Sequence, residues 1–396
     1  MTILSHKMRL YPNDRQSTLL YKTCGCNRYA YNWMLNRANE NHKNGIKYNK
    51  LALKNEFNAF KLSLPFMHEV NAHAVSNGAV DKLDSAFKRF FNKLAKYPKF
   101  KSKKNGVGSF MLTGSEIKYD SANRRVYIGR IGWIRLSETL RFECTKLYRI
   151  TVSNRAGKWF ISFALEVDDR KLCENQATAI GIDLGVEKSA TCSDGTVKDN
   201  PRISTTYAIR LRKLNKELSR RKKGGKNWWK TVFKLRKLHA RIADVRQDYT
   251  HKMTTEVSKQ YGIICLEDLN VKGMVRNHRL ARHILDVSFG EIRRQFEYKA
   301  ANEVRYVPRF FPSSKRCSKC GYEHDMPLNQ RRFICPQCGL DIDRDLNAAI
   351  NIRTFAVSST GSKKPVAKKS MTKSQDRVKT SHEQEENDIS AVCRNV

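Results

Sequence analysis

Apolar residues along this 396-residue chain change period several times, and each change marks an element. Residues 3–11, "ILSHKMRLY", alternate like a short strand until Pro12 breaks it, and Asn13 with Gln16 resembles a capping box opening a helix. Leu19, Leu20, Cys24, Trp33, Met34 and Leu35 predict one or two amphipathic helices beyond it. From Val75 onward, Ala79, Leu83, Ala86, Phe87, Phe90, Phe91 and Leu94 form one helical stripe, with Lys82, Arg89 and Lys93 outside it. That spacing reads as core, ahead of a base-stacking surface. Between 108 and 168 the period drops to two: "KWFISFALEVD" puts Trp159, Ile161, Phe163, Leu165 and Val167 on one face, after a hairpin turn at "NRAG". The pattern predicts a small β domain over residues 1–170, completed by the N-terminal strand, with helices of about 13–95 inserted into it.

The second half reads differently. "AIGIDLGVEKSATCSDG" (179–195) is an apolar strand, a glycine turn and a second strand. Helix follows over 204–260, where Leu235, Leu238, Ile242, Val245, Tyr249, Met253 and Val257 repeat near every 3.5 residues. "SRRKKGGKNWWK" (219–230) interrupts it and marks a helix–helix turn at Gly224 and Gly225, with Trp228 and Trp229 expected in the core. "YGIICLEDL" (261–269) reads as a buried strand ending in Glu267, and "SFGEIRRQFEYKA" (288–300) as a helix. From 356 onward the chain is rich in Ser, Lys, Glu and Gln and is expected to be disordered.

Charge changes the picture. Lys plus Arg number 76 against 38 Asp plus Glu, a net +38. A soluble small domain is well served by about 2–8 charges, so this excess points to a polyanionic partner, nucleic acid first. No run reaches the ~18 apolar residues of a membrane span, and the N-terminus lacks a signal-peptide core. Eleven cysteines are scattered and odd in number, which suits a reducing cytoplasm better than a disulfide framework.

Two clusters carry chemistry. Cys317, Cys320, Cys335 and Cys338 form two Cys-x-x-Cys pairs, with Gly321 and Gly339 placed to permit each turn. Four thiolates at that spacing hold one structural zinc and leave no open coordination position, so this metal does no chemistry. Chemistry must come from carboxylates. Asp183 ends an apolar strand, Glu267 ends another, and Asp345 stands in the first turn of the helix "DRDLNAAINI", where Ala348, Ala349 and Ile352 face inward. Burying such acids costs several kcal/mol without a partner; two Mg²⁺ ions about 3.5–4 Å apart are the natural one, and suit phosphodiester hydrolysis. Spacing alone leaves open whether Glu267 or Asp268 points toward the site.

"GIDLGVEKSATCSDG", "ICLEDLNVKGM", "FPSSKRCSKCG" with "CPQCG", and "DRDLNAAINIR" occur in the order seen in TnpB, the OrfB-type proteins of insertion sequences, and "KMRLYPND", "RYAYNWML" and "YPKFKSKK" resemble its N-terminal half. The resemblance runs from about residue 5 to 355 and extends to the type V CRISPR effector nucleases. It implies an α/β chain: an RNase H-like (RuvC) nuclease domain over 177–355 with a zinc ribbon inserted at 312–341, and an N-terminal β-barrel-like domain holding a helical bundle. It selects Asp183, Glu267 and Asp345 over Asp268, Asp343 and Asp341. It further implies a guide RNA, a DNA target and recognition of a short adjacent motif.

The reading is an Mg²⁺-dependent, RNA-guided DNA endonuclease, monomeric and cytoplasmic at the nucleoid. Lys96, Lys99, Lys101, Arg220, Arg221, Lys222 and Lys223 are expected to track phosphates. One rival is a transposase or resolvase using the same acids without a guide; another is a non-catalytic nucleic-acid-binding regulator.

Overall fold

Alternation over Thr2–Tyr11 (β1) buries His6, Met8 and Leu10 along one face. The computed structural model describes residues 2–103, 106, 108–113, 117–141, 146–167, 178–327, 329–358 and 362–365, in two units, Met1–Asp169 and Arg170–Lys368.

In the first unit Asn13 caps α1 (Asp14–Lys43): its carboxamide accepts from the Gln16 N–H at 2.8 Å, and Gln16 accepts from the Asn13 N–H at 3.1 Å. One uninterrupted helix stands where the sequence allowed one or two. Asn49 caps α2 (Lys50–Phe60) and Asn71 caps α3 (Ala72–Phe91). Val75, Ala79, Leu83 and Phe87 of α3 pack with Met34, Leu35 and Phe57 in a helical core. Leu94 corrects the predicted stripe: it lies past the C-cap at Asn92 and is 71% exposed. Six strands follow: β2 (Ser109–Thr113), β3 (Ile117–Asp120), β4 (Arg125–Ile128), β5 (Gly132–Leu136), β6 (Lys146–Arg155) and β7 (Lys158–Val167). With β1 they form an antiparallel sheet in the order β2-β6-β7-β1-β5-β4-β3. Between β6 and β7, Ala156 and Gly157 both take positive φ (51° and 82°), which matches the twist of a tight hairpin. Trp159, Ile161, Phe163, Leu165 and Val167 are all buried, as the alternation predicts.

The second unit opens with a meander, β8 (Ala179–Asp183), β9 (Lys188–Cys192) and β10 (Val197–Asp199). Next come a single turn α4 (Ile203–Thr206), α5 (Ala208–Ser219), α6 (Lys226–Gln260), β11 (Ile263–Glu267), a single turn α7 (Val271–Met274), α8 (His278–Val287), α9 (Phe289–Lys299) and β12 (Glu303–Val307). The small strands β13 (Arg332–Ile334) and β14 (Asp341–Asp343) pair with each other, then α10 (Arg344–Ser358) and β15 (Ser362–Pro365) end the described chain. The main sheet runs β10-β9-β8-β11-β12-β15, with β8, β11 and β12 mutually parallel. Ile180, Ile182, Ile264 and Leu266 pack on Met253, Val257, Ile292 and Phe296 from the helices of one face. Ile263, Cys265 and Val307 point the other way, against Ile352 and Ala356 of α10.

Trp228 and Trp229 do not join the core: Trp229 is 48% exposed, and the two rings meet edge-on at 4.7 Å near the start of α6. The tail expected to be disordered from 356 is helical to Ser358, and Ser362–Pro365 adds an antiparallel strand to β12. Its remainder, like Cys144, Cys173 and Cys393, lies outside the described residues. Among the described residues no helix is long and apolar enough to cross a membrane.

Candidate active site and metal centre

Strand register brings the first two acids together. Ile182 of β8 sits beside Leu266 of β11, so Asp183 and Glu267, the next residues of two parallel strands, lie side by side. Alternation decides between Glu267 and Asp268. Glu267 continues the Ile263 and Cys265 face toward α10, whereas Asp268 is held by Arg293 of α9 at 2.7 Å and Arg309 at 3.4 Å. The third acid arrives on α10, which lies directly on β8. A Cβ on Gly181 would stand 2.1 Å from the Ala349 carbonyl oxygen and 2.7 Å from the Arg353 nitrogen, so only glycine admits the helix. Asp345 is one turn before Ala349, and Asp183 shares the strand face of Gly181.

All three acids are partly buried. Burial first, then the charges of Glu267 and Asp345, push the Asp183 carboxyl up to about 7, against an opposing pull from Arg344. Burial also raises Glu267, opposed by the Ser313 hydroxyl, which donates to it at 2.5 Å. The neighbouring Asp343 behaves differently. Its carboxylate takes Lys188 at 3.0 Å and caps α10 through the Asp345 and Leu346 N–H groups (2.9 and 3.1 Å), and these bonds outweigh burial and hold it below its ordinary value. Lys188 is thereby spent on Asp343. Among the described residues no lysine, arginine or histidine pairs with Asp183, Glu267 or Asp345.

The four cysteines converge. Cys317 and Cys338 Sγ are 3.6 Å apart, Cys320 and Cys335 Sγ 3.5 Å, and all four sulfurs lie within 4.8 Å of one another. Thiolates on a zinc tetrahedron with bonds of about 2.3 Å stand about 3.8 Å apart, so the group fits that metal. Its two halves are built alike. The Cys317 and Cys335 N–H groups donate to Tyr322 and Leu340, and Gly321 and Gly339, both at positive φ, donate back to the cysteine carbonyls at 3.0 Å. Among the described residues no other group of three metal-ligating side chains gathers so tightly, the three acids included.

Cysteines and acids are neighbours because α10 serves both. Asn347 donates to the Arg316 carbonyl at 2.8 Å and accepts from the Ser318 N–H at 3.0 Å; Asn351 donates to the Ser313 and Arg316 carbonyls at 2.8 and 2.6 Å. The helix that carries Asp345 thus anchors the entry to the ribbon and sets Ser313 against Glu267. Sequence reading missed Gly181, Ser313, Asn347 and Asn351. Three left a signal: a glycine within an apolar strand marks close backbone approach, and two asparagines four apart interrupt an apolar helix face.

Of the basic candidates, Lys96, Lys99, Lys101, Arg220, Lys222 and Lys223 are exposed. Arg221 is not free for a ligand: its guanidinium binds Glu217 and the Asn227 carbonyl, closing the α5–α6 turn.

Residues 162–278 match the IS605 OrfB family described as "Probable transposase", and 289–352 the domain described as "Cas12f1-like, TNB domain". Residues 1–47 match an OrfB region described as "Helix-turn-helix domain", although here they form β1 and a single helix. A "Putative RNA-guided DNA endonuclease" of Streptomyces pristinaespiralis is 35% identical over 373 residues, 89% of each chain. InsQ of Escherichia coli (strain K12), with the same description, is 34% identical over 370 residues, 87% of this chain and 90% of its own. A chain in the cryo-EM structure of the Cas12f1–sgRNA–target DNA complex shares the fold at a TM-score of 0.53 and 15% identity, over 89% of this chain and 98% of that one. This chain therefore belongs to the TnpB family, the OrfB proteins of insertion sequences.

Proposed function

We propose that this chain is an RNA-guided DNA endonuclease whose second unit, over 177–355, is a RuvC-like nuclease with a zinc ribbon at 312–341. One observation carries the proposal. In a chain with 76 basic and 38 acidic residues, Asp183, Glu267 and Asp345 act on one another electrostatically, and among the described residues none of the three forms an ion pair. Carboxylates left so uncompensated fit divalent cations. The order of the first five sheet strands, a meander flanked by two strands parallel to its first, supports the RNase H-like reading. For the N-terminal unit a barrel is favoured because its edge strands, β2 and β3, are joined by only three residues, a span of at most about 14 Å.

Asp183, Glu267 and Asp345 would hold two Mg²⁺ ions, and Cys317, Cys320, Cys335 and Cys338 one zinc. The chemistry magnesium supplies there is activation of water and neutralisation of charge at the phosphodiester. Ser313 fixes one oxygen of Glu267 and leaves the other for the site. Asp343 holds the Lys188 ammonium at 3.0 Å, so that cation makes its ion pair there and not with one of the three acids.

Sequencing the nucleic acid that survives purification, then assaying cleavage of DNA matching it, tests the proposal. A discrete RNA, cleavage in Mg²⁺ but not EDTA, and a fall of at least about 10³-fold in Asp183→Ala with RNA retained are expected. Cleavage at the wild-type rate by Asp183→Ala removes the catalytic assignment. Cleavage without bound RNA favours the guide-independent transposase or resolvase.

A further inference from the structure

The first unit carries a cationic feature that the nuclease centre does not use. A cavity of about 290 Å³ is lined by Asn27 and Arg28 of α1, Lys82 of α3, Lys101, Ser102 and Ser109, among others. Three of its described lining residues are cations and none is a carboxylate.

Both lysines are held in place. Gly78 lets α3 press on β2, since a Cβ there would meet the Met111 carbonyl oxygen at 2.8 Å. One turn on, the Lys82 ammonium donates to the Ser109 carbonyl, to its hydroxyl at 3.2 Å and to Asn27 at 3.3 Å. Asn32 clamps the Lys101 backbone with bonds of 2.7 and 2.9 Å, and the Lys101 ammonium lies 3.3 Å from the Tyr31 ring centroid. These partners are neutral, so they fix the geometry without cancelling charge. Burial, joined at Lys101 by repulsion from Lys82, holds both ammonium groups down to about 8. The acids near Lys82 in sequence are engaged elsewhere: Asp81 takes Lys50, and Asp84 takes Lys50 and Lys88. Fixed like charges facing a cavity with no carboxylate among its described lining residues are relieved by an anion, and phosphate accepts from several donors at once.

We propose that this cavity seats one backbone phosphate of a nucleic-acid strand, bridged by Lys82, Lys101 and Arg28. The identity of the polymer rests on the proposed function; the anion site rests on the cavity alone.

Full-length protein, stripped of nucleic acid in high salt, is titrated by fluorescence anisotropy against a labelled DNA duplex and, separately, the labelled co-purifying RNA, over a range of KCl concentrations. Lys101→Gln and Arg28→Gln should each weaken binding to one of the two polymers by about tenfold and flatten its log K against log salt slope by about one. The double variant should flatten it no further, because both cations serve one phosphate, and Lys101→Arg should keep the wild-type slope. The Lys101 ammonium rests on the core ring of Tyr31, so melting curves of each variant and the charge-keeping Lys101→Arg separate lost charge from lost packing. Wild-type slopes for both polymers in the two single variants overturn the site, as does a double variant that loses two. In either case the proposed function stands. A wild-type protein that binds neither polymer overturns both.

Discussion

A carboxyl group at the end of an apolar strand keeps its proton unless something else neutralises it. Asp183, pushed up to about 7 by burial and by Glu267 and Asp345, makes that measurable. The folded protein holds this proton more tightly than an unfolded chain, whose carboxyl releases it near about pH 4. Its stabilisation is therefore complete below about pH 4 and is lost as the pH climbs toward about 7. Through this group, metal-free protein should become less stable over that window, by at most about 4 kcal/mol. Asp183→Asn should flatten the dependence. Melting curves in EDTA decide it, and identical pH slopes for both proteins would sink the prediction. Ser313 offers a second readout. Its bond opposes the upward shift of Glu267, so Ser313→Ala should let that carboxyl rise further. The acidic limb of the cleavage pH profile should move up with it.

Among elements, α10 matters most, because it touches β8, anchors the ribbon entry and carries Asp345. Gly181→Ala forces the helix backbone away and should cost about 1–3 kcal/mol, with cleavage falling more steeply than the melting temperature. A variant that cleaves and melts like wild type would mean the helix can shift without moving Asp345. A zinc ion on the four cysteines would act on the same helix from its other side. Cys320→Ser should lower the zinc content from about one ion per chain and loosen the Ser313–Ser318 segment held by Asn347 and Asn351. Metal analysis alongside a cleavage assay checks it; full activity without zinc would separate ribbon from acids. How much of this was legible follows from range. Both apolar strands, the hairpin at "NRAG" and the cysteine pairs were readable because their signals lie within a few residues. The choice of Glu267 over Asp268 required the resemblance, since alternation gives relative faces but not which face α10 covers. Ser313 and Lys188 act through partners distant in sequence, and no local period encodes them. Trp228, Trp229 and Leu94 misled because apolar character says nothing about whether a partner surface exists there.

For the molecule as a whole, charge opposes folding while favouring its ligand. Excess positive charge repels itself, and in about 0.01 M salt that repulsion extends over about 30 Å, against about 10 Å at 0.1 M. Exposed ion pairs such as Arg294–Glu291 and Lys252–Asp248 weaken over the same range, but each is worth only about 0–1 kcal/mol. With basic residues outnumbering acidic ones two to one, repulsion should win. Stripped of nucleic acid, the protein should therefore melt several degrees higher as KCl rises from about 0.01 to 0.1 M. A polyanion such as heparin should raise the melting temperature further by binding only the folded form. Calorimetry over a salt series measures both effects. A melting temperature that falls with salt would mean local pairing outweighs net charge, and the case for a polyanion built on composition would lose its physical basis.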